Sequence, residues 1–321
     1  MCFFFLTETR SRSRMEVSND VFVVFSWVKA FTFVFGVLLN GVVCLTLLKY
    51  RSLLTKVNIL IFSMAISDLL SSALPASFSM AADIEKRWIF KDWGCNVTGF
   101  LASLTGGVSI THLAAVAYDR YETFELKKKK LFSTDTRTKY IAILCWLFSF
   151  VVAIAPVLGW SNYKIEGVGT SCAIHFASSE VNSVSYTVVI FMVYFFVPLL
   201  VIFFSYYKVY TSLKKMKNNA DNLWGKMSDM AKKTAKLEQK MAILLLIMSL
   251  GFILAWTPYA VVSLISACRG TEWIEKIAAS IPAIIAKSSS LCNPIVYFLM
   301  YKRFRNKAKE LLKTYFCSKK I

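Results

Sequence analysis

Seven apolar stretches dominate this chain, covering approximately residues 21–48, 57–82, 93–122, 139–160, 183–210, 237–265 and 275–300. A helix rises about 1.5 Å per residue, so a stretch of roughly 20 residues or more can cross a hydrocarbon core ~30 Å thick. With 56% hydrophobic and only 18% charged residues over 321 positions, and a mean hydropathy of +0.54, the chain is too apolar for an ordinary globular domain of that size. The expected fold class is an all-α membrane protein, a bundle of seven spanning helices. Residues 302–316 follow, where basic residues alternate with Phe304, Ala308, Leu311, Leu312, Tyr315 and Phe316 at helical spacing. That segment is too charged to cross and suits an eighth, amphipathic helix lying on the membrane surface.

The net charge of +19 could suggest a nucleic-acid partner, but its distribution argues for a bilayer instead. About 27 of the 38 Lys and Arg fall in one alternate set of loops plus the C-terminus, in the clusters 127–130, 208–240 and 302–320. By the positive-inside rule those loops face the cytoplasm and anionic lipid, leaving the N-terminus and the loops near 83–92, 161–182 and 266–274 outside. The expected organisation is an extracellular tail over 1–20, a receptor-like spanning domain over 21–300, and the amphipathic helix with a short cytoplasmic tail over 301–321. Met15 is a second candidate start, because the apolar run of residues 3–6 is short and is followed, not preceded, by Arg10, Arg12 and Arg14.

Four of the eight cysteines, Cys44, Cys145, Cys268 and Cys292, fall inside or at the ends of apolar spans, where a thiol packs as a small hydrophobe. Cys95 and Cys172 stand apart on the outer side, in a compartment where disulfides persist. Cys317, among lysines at the end of the amphipathic segment, is a candidate lipidation site or a free thiol. The glycosylation pattern at Asn96 begins the third span, so we read it as chance.

The polar residues inside the spans are few and ordered: Asn40; Asp68; Asp119, Arg120 and Tyr121; Trp146; then Pro198 with Tyr206, Trp256-Thr257-Pro258-Tyr259, and Asn293-Pro294-Ile295-Val296-Tyr297. An intramembrane carboxylate such as Asp68 is costly unless paired, and a cluster with Asn40 and Asn293 would satisfy it. Pro258 and Pro294 each remove a backbone donor, loosening helices where they could bend. This series on successive spans resembles the rhodopsin-like, class A G-protein-coupled receptors across about 290 residues. The resemblance implies a Cys95–Cys172 disulfide, and an off-state latch joining Arg120 to Asp119 and Glu238. Glu238, between Lys236 and Lys240, could alternatively make only local helix pairs.

Lys287 lies about eleven residues, hence ~16 Å, into the seventh span. A free ammonium is disfavoured there, so the group should be neutral, paired or chemically converted; a neutral amine is also a nucleophile for an aldehyde. Six residues before Asn293, Lys287 matches the retinal lysine of opsins. Lys29, in contrast, is expected to reach the outer interface by its own length. A protonated Schiff base needs a compensating negative charge. Thr98 stands where vertebrate visual opsins carry that glutamate, whereas Glu166, six residues before Cys172, matches the counterion of many invertebrate and non-visual opsins and implies a bistable pigment. A solvated loop carboxylate is the plain alternative for Glu166, and Asp83 and Glu85 are rival acids that read as too shallow. Matching positions place Trp256, Tyr259, Phe195, Gly106 and Ala283 around the retinal.

The resemblance therefore implies a non-visual or invertebrate opsin, cnidarian-like or peropsin-like on the strength of Gly159-Trp160-Ser161-Asn162-Tyr163 and Ala286-Lys287-Ser288-Ser289. It would sit in the plasma membrane, with the N-terminus outside, and would carry retinal, 11-cis in the dark and all-trans after light. Its partner would be a heterotrimeric G protein, with no enzymatic role and no metal. A retinal photoisomerase and a receptor for a diffusible ligand are the competing readings.

Overall fold

The computed structural model describes residues 17–125, 135–178, 180–218, 229–270 and 274–317. Most of the N-terminal tail, the lysine run at 127–130, the tail beyond Cys317 and the Cys317 side chain lie outside the described residues, so the expectations placed on them are not addressed further. Among the described residues seven helices are long and apolar enough to cross a membrane: α1 (Asn19–Lys49), α2 (Lys56–Ile84), α3 (Lys91–Phe124), α4 (Thr136–Ile154), α5 (Val181–Met216), α6 (Ala235–Arg269) and α7 (Lys276–Met300). An eighth, α8 (Lys302–Cys317), follows directly. Phe304, Ala308 and Leu311 turn inward on α8, where Phe304 packs against the rings of Tyr297 and Phe298.

The fourth span is shorter than its apolar run. It ends at Ile154, and residues 155–160 form turns around Pro156, which lacks the N–H a continuing helix needs. Other prolines leave a more local mark. In α5 a π-helical turn occupies Met192–Phe196, immediately before Pro198, which cannot donate to the carbonyl of Tyr194. In α7 a 3-10 turn at Ser288–Leu291 separates two α-helical segments. Pro294 leaves the Ser290 carbonyl without its helical donor, and Asn40 Nδ2 fills the vacancy from α1 at 3.0 Å. The donor that Pro294 lacks thus explains why a polar residue in α1 faces a proline in α7.

Two short antiparallel strands, β1 (Tyr163–Glu166) and β2 (Ser171–Ile174), form a hairpin between α4 and α5, with Glu166 opposite Ser171. Its turn uses Gly167 at φ +58° and Gly169 at φ +93°, and a side chain on Gly167 would collide with Ser280. The Cys95–Cys172 disulfide ties β2 to the start of α3 across 77 residues. The hairpin is thereby laid over one end of the bundle, the end opposite α8.

Candidate functional site

Beneath the hairpin, α3, α5, α6 and α7 enclose a cavity lined mainly by apolar and aromatic side chains. Lys287 enters it from the last α-helical turn before the 3-10 segment, and its Nζ lies 2.6 Å from Glu166 Oε1. Two hydroxyls bind Glu166 as well: Ser171 donates to Oε1 at 3.1 Å and Tyr259 to Oε2 at 3.1 Å. Burial alone would raise the Glu166 carboxyl, but Lys287 and these two hydroxyls hold it below its ordinary value, so it stays ionised at neutral pH. Four elements, β1, β2, α6 and α7, therefore converge on one carboxylate.

The expected aromatic wall is present. Trp256 donates from Nε1 to Ser289 Oγ at 2.9 Å, stacks on Phe252 with centroids 5.5 Å apart, and meets Tyr259 edge-on at 6.0 Å. Phe195 reaches the cavity from the π turn, and Ala283 from α7. Gly106 admits Trp256, because a Cβ there would lie 3.0 Å from the indole. Thr98 is buried and donates to its own helix at Gly94, so it offers the cavity no charge.

Two expectations need correction. Lys29 does not reach the interface: it is buried, pairs with Asp83 Oδ2 at 2.7 Å, and also lines the cavity. Asp83 lies one residue from the end of α2, as shallow as expected, but is almost wholly buried there rather than open to solvent, while Glu85 is exposed. Hydropathy along the chain measures depth only; which way each residue faces was hidden until α1 and α2 were packed together.

Deeper in the bundle Asp68 accepts from Ser109 at 2.9 Å and from Asn293 at 2.9 Å. Asn40 takes no direct part, being bound to the carbonyls of Gly36 and Ser290 instead. Tyr297, beyond the buried Pro294, donates to Asn58 Oδ1 at 2.7 Å, and Tyr206 is buried in the core. At the α8 end Arg120 binds Asp119 and lies 2.5 Å from Glu238 Oε2. Tyr121 packs its ring against Phe204. A further cluster escaped the sequence reading: Ser63 receives Trp146 Nε1 at 2.9 Å and lies 2.9 Å from His112 Nε2, joining α2, α3 and α4. Trp146 belonged to the ordered series of span residues, but Ser63 and His112 belonged to no motif, so nothing in the sequence marked those two.

The model of the family described as 7 transmembrane receptor (rhodopsin family) matches residues 39–297. This chain belongs to that family. It is 32% identical over 273 residues to a protein named Melanopsin-B from Xenopus laevis, and 31% identical over 280 residues to Rhodopsin from Enteroctopus dofleini. The alignments cover 84% and 85% of this chain but only 51% and 61% of those relatives, so the chain spans between about half and three fifths of their length. The crystal structure of squid rhodopsin superposes with a TM-score of 0.86 at 28% identity, covering 94% of this chain and 89% of that one. These relatives are opsins, as the motifs led us to expect.

Proposed function

We propose that this chain is a light-sensing, opsin-type receptor that holds retinal on Lys287 as a protonated Schiff base, with Glu166 as the counter-charge, and signals to a heterotrimeric G protein. The observation that carries the reading is the Lys287–Glu166 pair at 2.6 Å inside an apolar, aromatic-walled cavity. The donor set fits the group: a primary amine for the aldehyde, an ionised carboxylate beside it, and Trp256, Phe195 and Ala283 as walls for a polyene. Retinal, when bound, supplies light absorption and a change of shape. The chain supplies the rest. Glu166 neutralises the positive nitrogen, Tyr259 and Ser171 keep that carboxylate in place, and Trp256 spans the cavity between α6 and the Ser289 hydroxyl. Arg120, held by Asp119 and Glu238, closes the α8 end, and its release would let the inner part of α6 move.

With the basic loops facing the cytoplasm, the hairpin end is extracellular and the α8 end meets the G protein at the plasma membrane. Similarity to proteins named melanopsin and rhodopsin supports the non-visual or invertebrate opsin placement; on that reading the retinal is 11-cis in the dark and all-trans after light, and a hairpin counterion makes the pigment bistable. The deciding experiment is a visible spectrum of purified protein after adding 11-cis retinal. A retinal-dependent visible band, lost in Lys287→Ala, is expected; a well-folded wild-type protein without that band overturns the proposal and favours a receptor for a diffusible ligand.

A further inference from the structure

A second ion pair, this one buried, lies beside the cavity, which both Lys29 and Lys287 line. Lys29, on α1, and Asp83, on α2, meet at 2.7 Å, with side chains 11% and 0% exposed. Lys29 Nζ also lies 3.4 Å from the hydroxyl of Thr170, in the hairpin turn four residues after Glu166. One helical turn along α1, Thr32 shares a 3.0 Å hydrogen bond with Ser288, the neighbour of Lys287. Lys29 is within electrostatic reach of both Lys287 and Glu166, and Asp83 within reach of Lys287. Buried lysine is expensive, and an unpaired carboxylate nearby would attract it. Two such acids are present, Asp83 and Glu166, for two lysines.

Building on the retinal reading above, we infer that Asp83, by holding Lys29, leaves Glu166 committed to Lys287 and so sets how strongly the Lys287 nitrogen keeps its proton. The four charges sum to zero as paired. Neutralising Asp83 leaves one uncompensated positive charge in the cavity, which repels a proton on Lys287 and competes for Glu166. Neutralising Lys29 leaves an extra negative charge, which has the opposite effect. Replacing both restores the balance. The other titratable groups lining the cavity are Asp68 at its floor, Tyr194 from α5 and Tyr259 from α6; all three remain in every variant. Among the cavity-lining residues α3 contributes no ionisable side chain.

The test is a pH titration of the visible band in retinal-loaded wild type, Asp83→Asn, Lys29→Met and the double variant. In Asp83→Asn the midpoint for loss of the band is expected to fall by on the order of one pH unit, and in Lys29→Met to rise by a similar amount. The double variant should titrate near wild type. Identical midpoints in all four overturn the inference, as do singles that melt earlier yet titrate unchanged, since a tether between α1 and α2 would behave so. If Asp83→Asn does not fold, the comparison of Lys29→Met with the double variant decides, because equal midpoints there also overturn it.

A second readout needs no retinal. Formaldehyde condenses with an exposed amine, releasing water, and cyanoborohydride reduces the imine by hydride transfer; peptide mapping then locates the label. Lys29 should resist labelling in the retinal-free wild type and become labelled in Asp83→Asn, whereas labelling independent of Asp83 overturns the inference. Wild type that binds no retinal but shows this protection would instead sink the retinal reading and leave the ion pair standing.

Discussion

Glu166 and Lys287 sit 2.6 Å apart with most of each side chain shielded from solvent, so removing one strands the other. We expect Glu166→Gln to lower the stability of the retinal-free protein by on the order of 3 kcal/mol, read as an earlier thermal midpoint. The pH dependence has a definite sign. The Glu166 carboxyl is held below its ordinary value of 4.5, so its contribution to stability is complete above that value and is lost as the pH falls below it, through the lower value of the folded protein. Melting curves from pH 7 downward check this; a contribution that instead grows on acidification would contradict the ion pair. At the other end, Glu238 is 42% exposed on its side chain and touches a buried Arg120. Glu238→Gln should weaken the hold on α6 and raise G-protein activation in darkness several-fold, measured as nucleotide exchange, while leaving any visible band where it was.

Helices differ in how much of them could be read in advance. The seven spans, the amphipathic α8 and the Cys95–Cys172 disulfide were legible because length, apolar runs and the match to a family are properties of order along the chain, whereas the hairpin in the outer loop over 161–182 was not foreseen. The Lys287–Glu166 pair was legible through the same match. The Lys29–Asp83 pair was not, since each residue looks unremarkable by depth and only the rotation of α1 against α2 brings them together. The early end of α4 at Ile154 was missed for a related reason: residues beyond Pro156 remain apolar without being helical. At this scale α8 gives a direct prediction. Phe304 is fully buried against Tyr297 and Phe298, so Phe304→Ala should cost about 3 kcal/mol and loosen the link between α7 and α8, visible as faster hydrogen exchange in residues 297–312.

Across the molecule the two ends are built differently. The hairpin end is closed by a disulfide and by contacts from several elements to one carboxylate, whereas the α8 end is held between α3 and α6 at Arg120 by a single partly exposed glutamate. Replacing both Cys95 and Cys172 by alanine should therefore impair the fit of Glu166 to Lys287 and lower thermal stability, by up to about 4 kcal/mol for a closed loop of this size. Midway between the ends lies the π turn at Met192–Phe196. It is one residue spliced into a helical screw, and its effect is a phase: were the turn to tighten with that residue still in place, the rest of α5 would be carried round by about 100° relative to the bundle. Ile202, Tyr206 and Val209, now facing the core, would swing toward lipid, and Phe203 and Tyr207 would be driven inward. A one-codon deletion inside the turn lets it close to an ordinary helical turn with the phase kept, whereas the same deletion in the α-helical stretch beyond it is a lesion of the cytoplasmic half and should be tolerated far less.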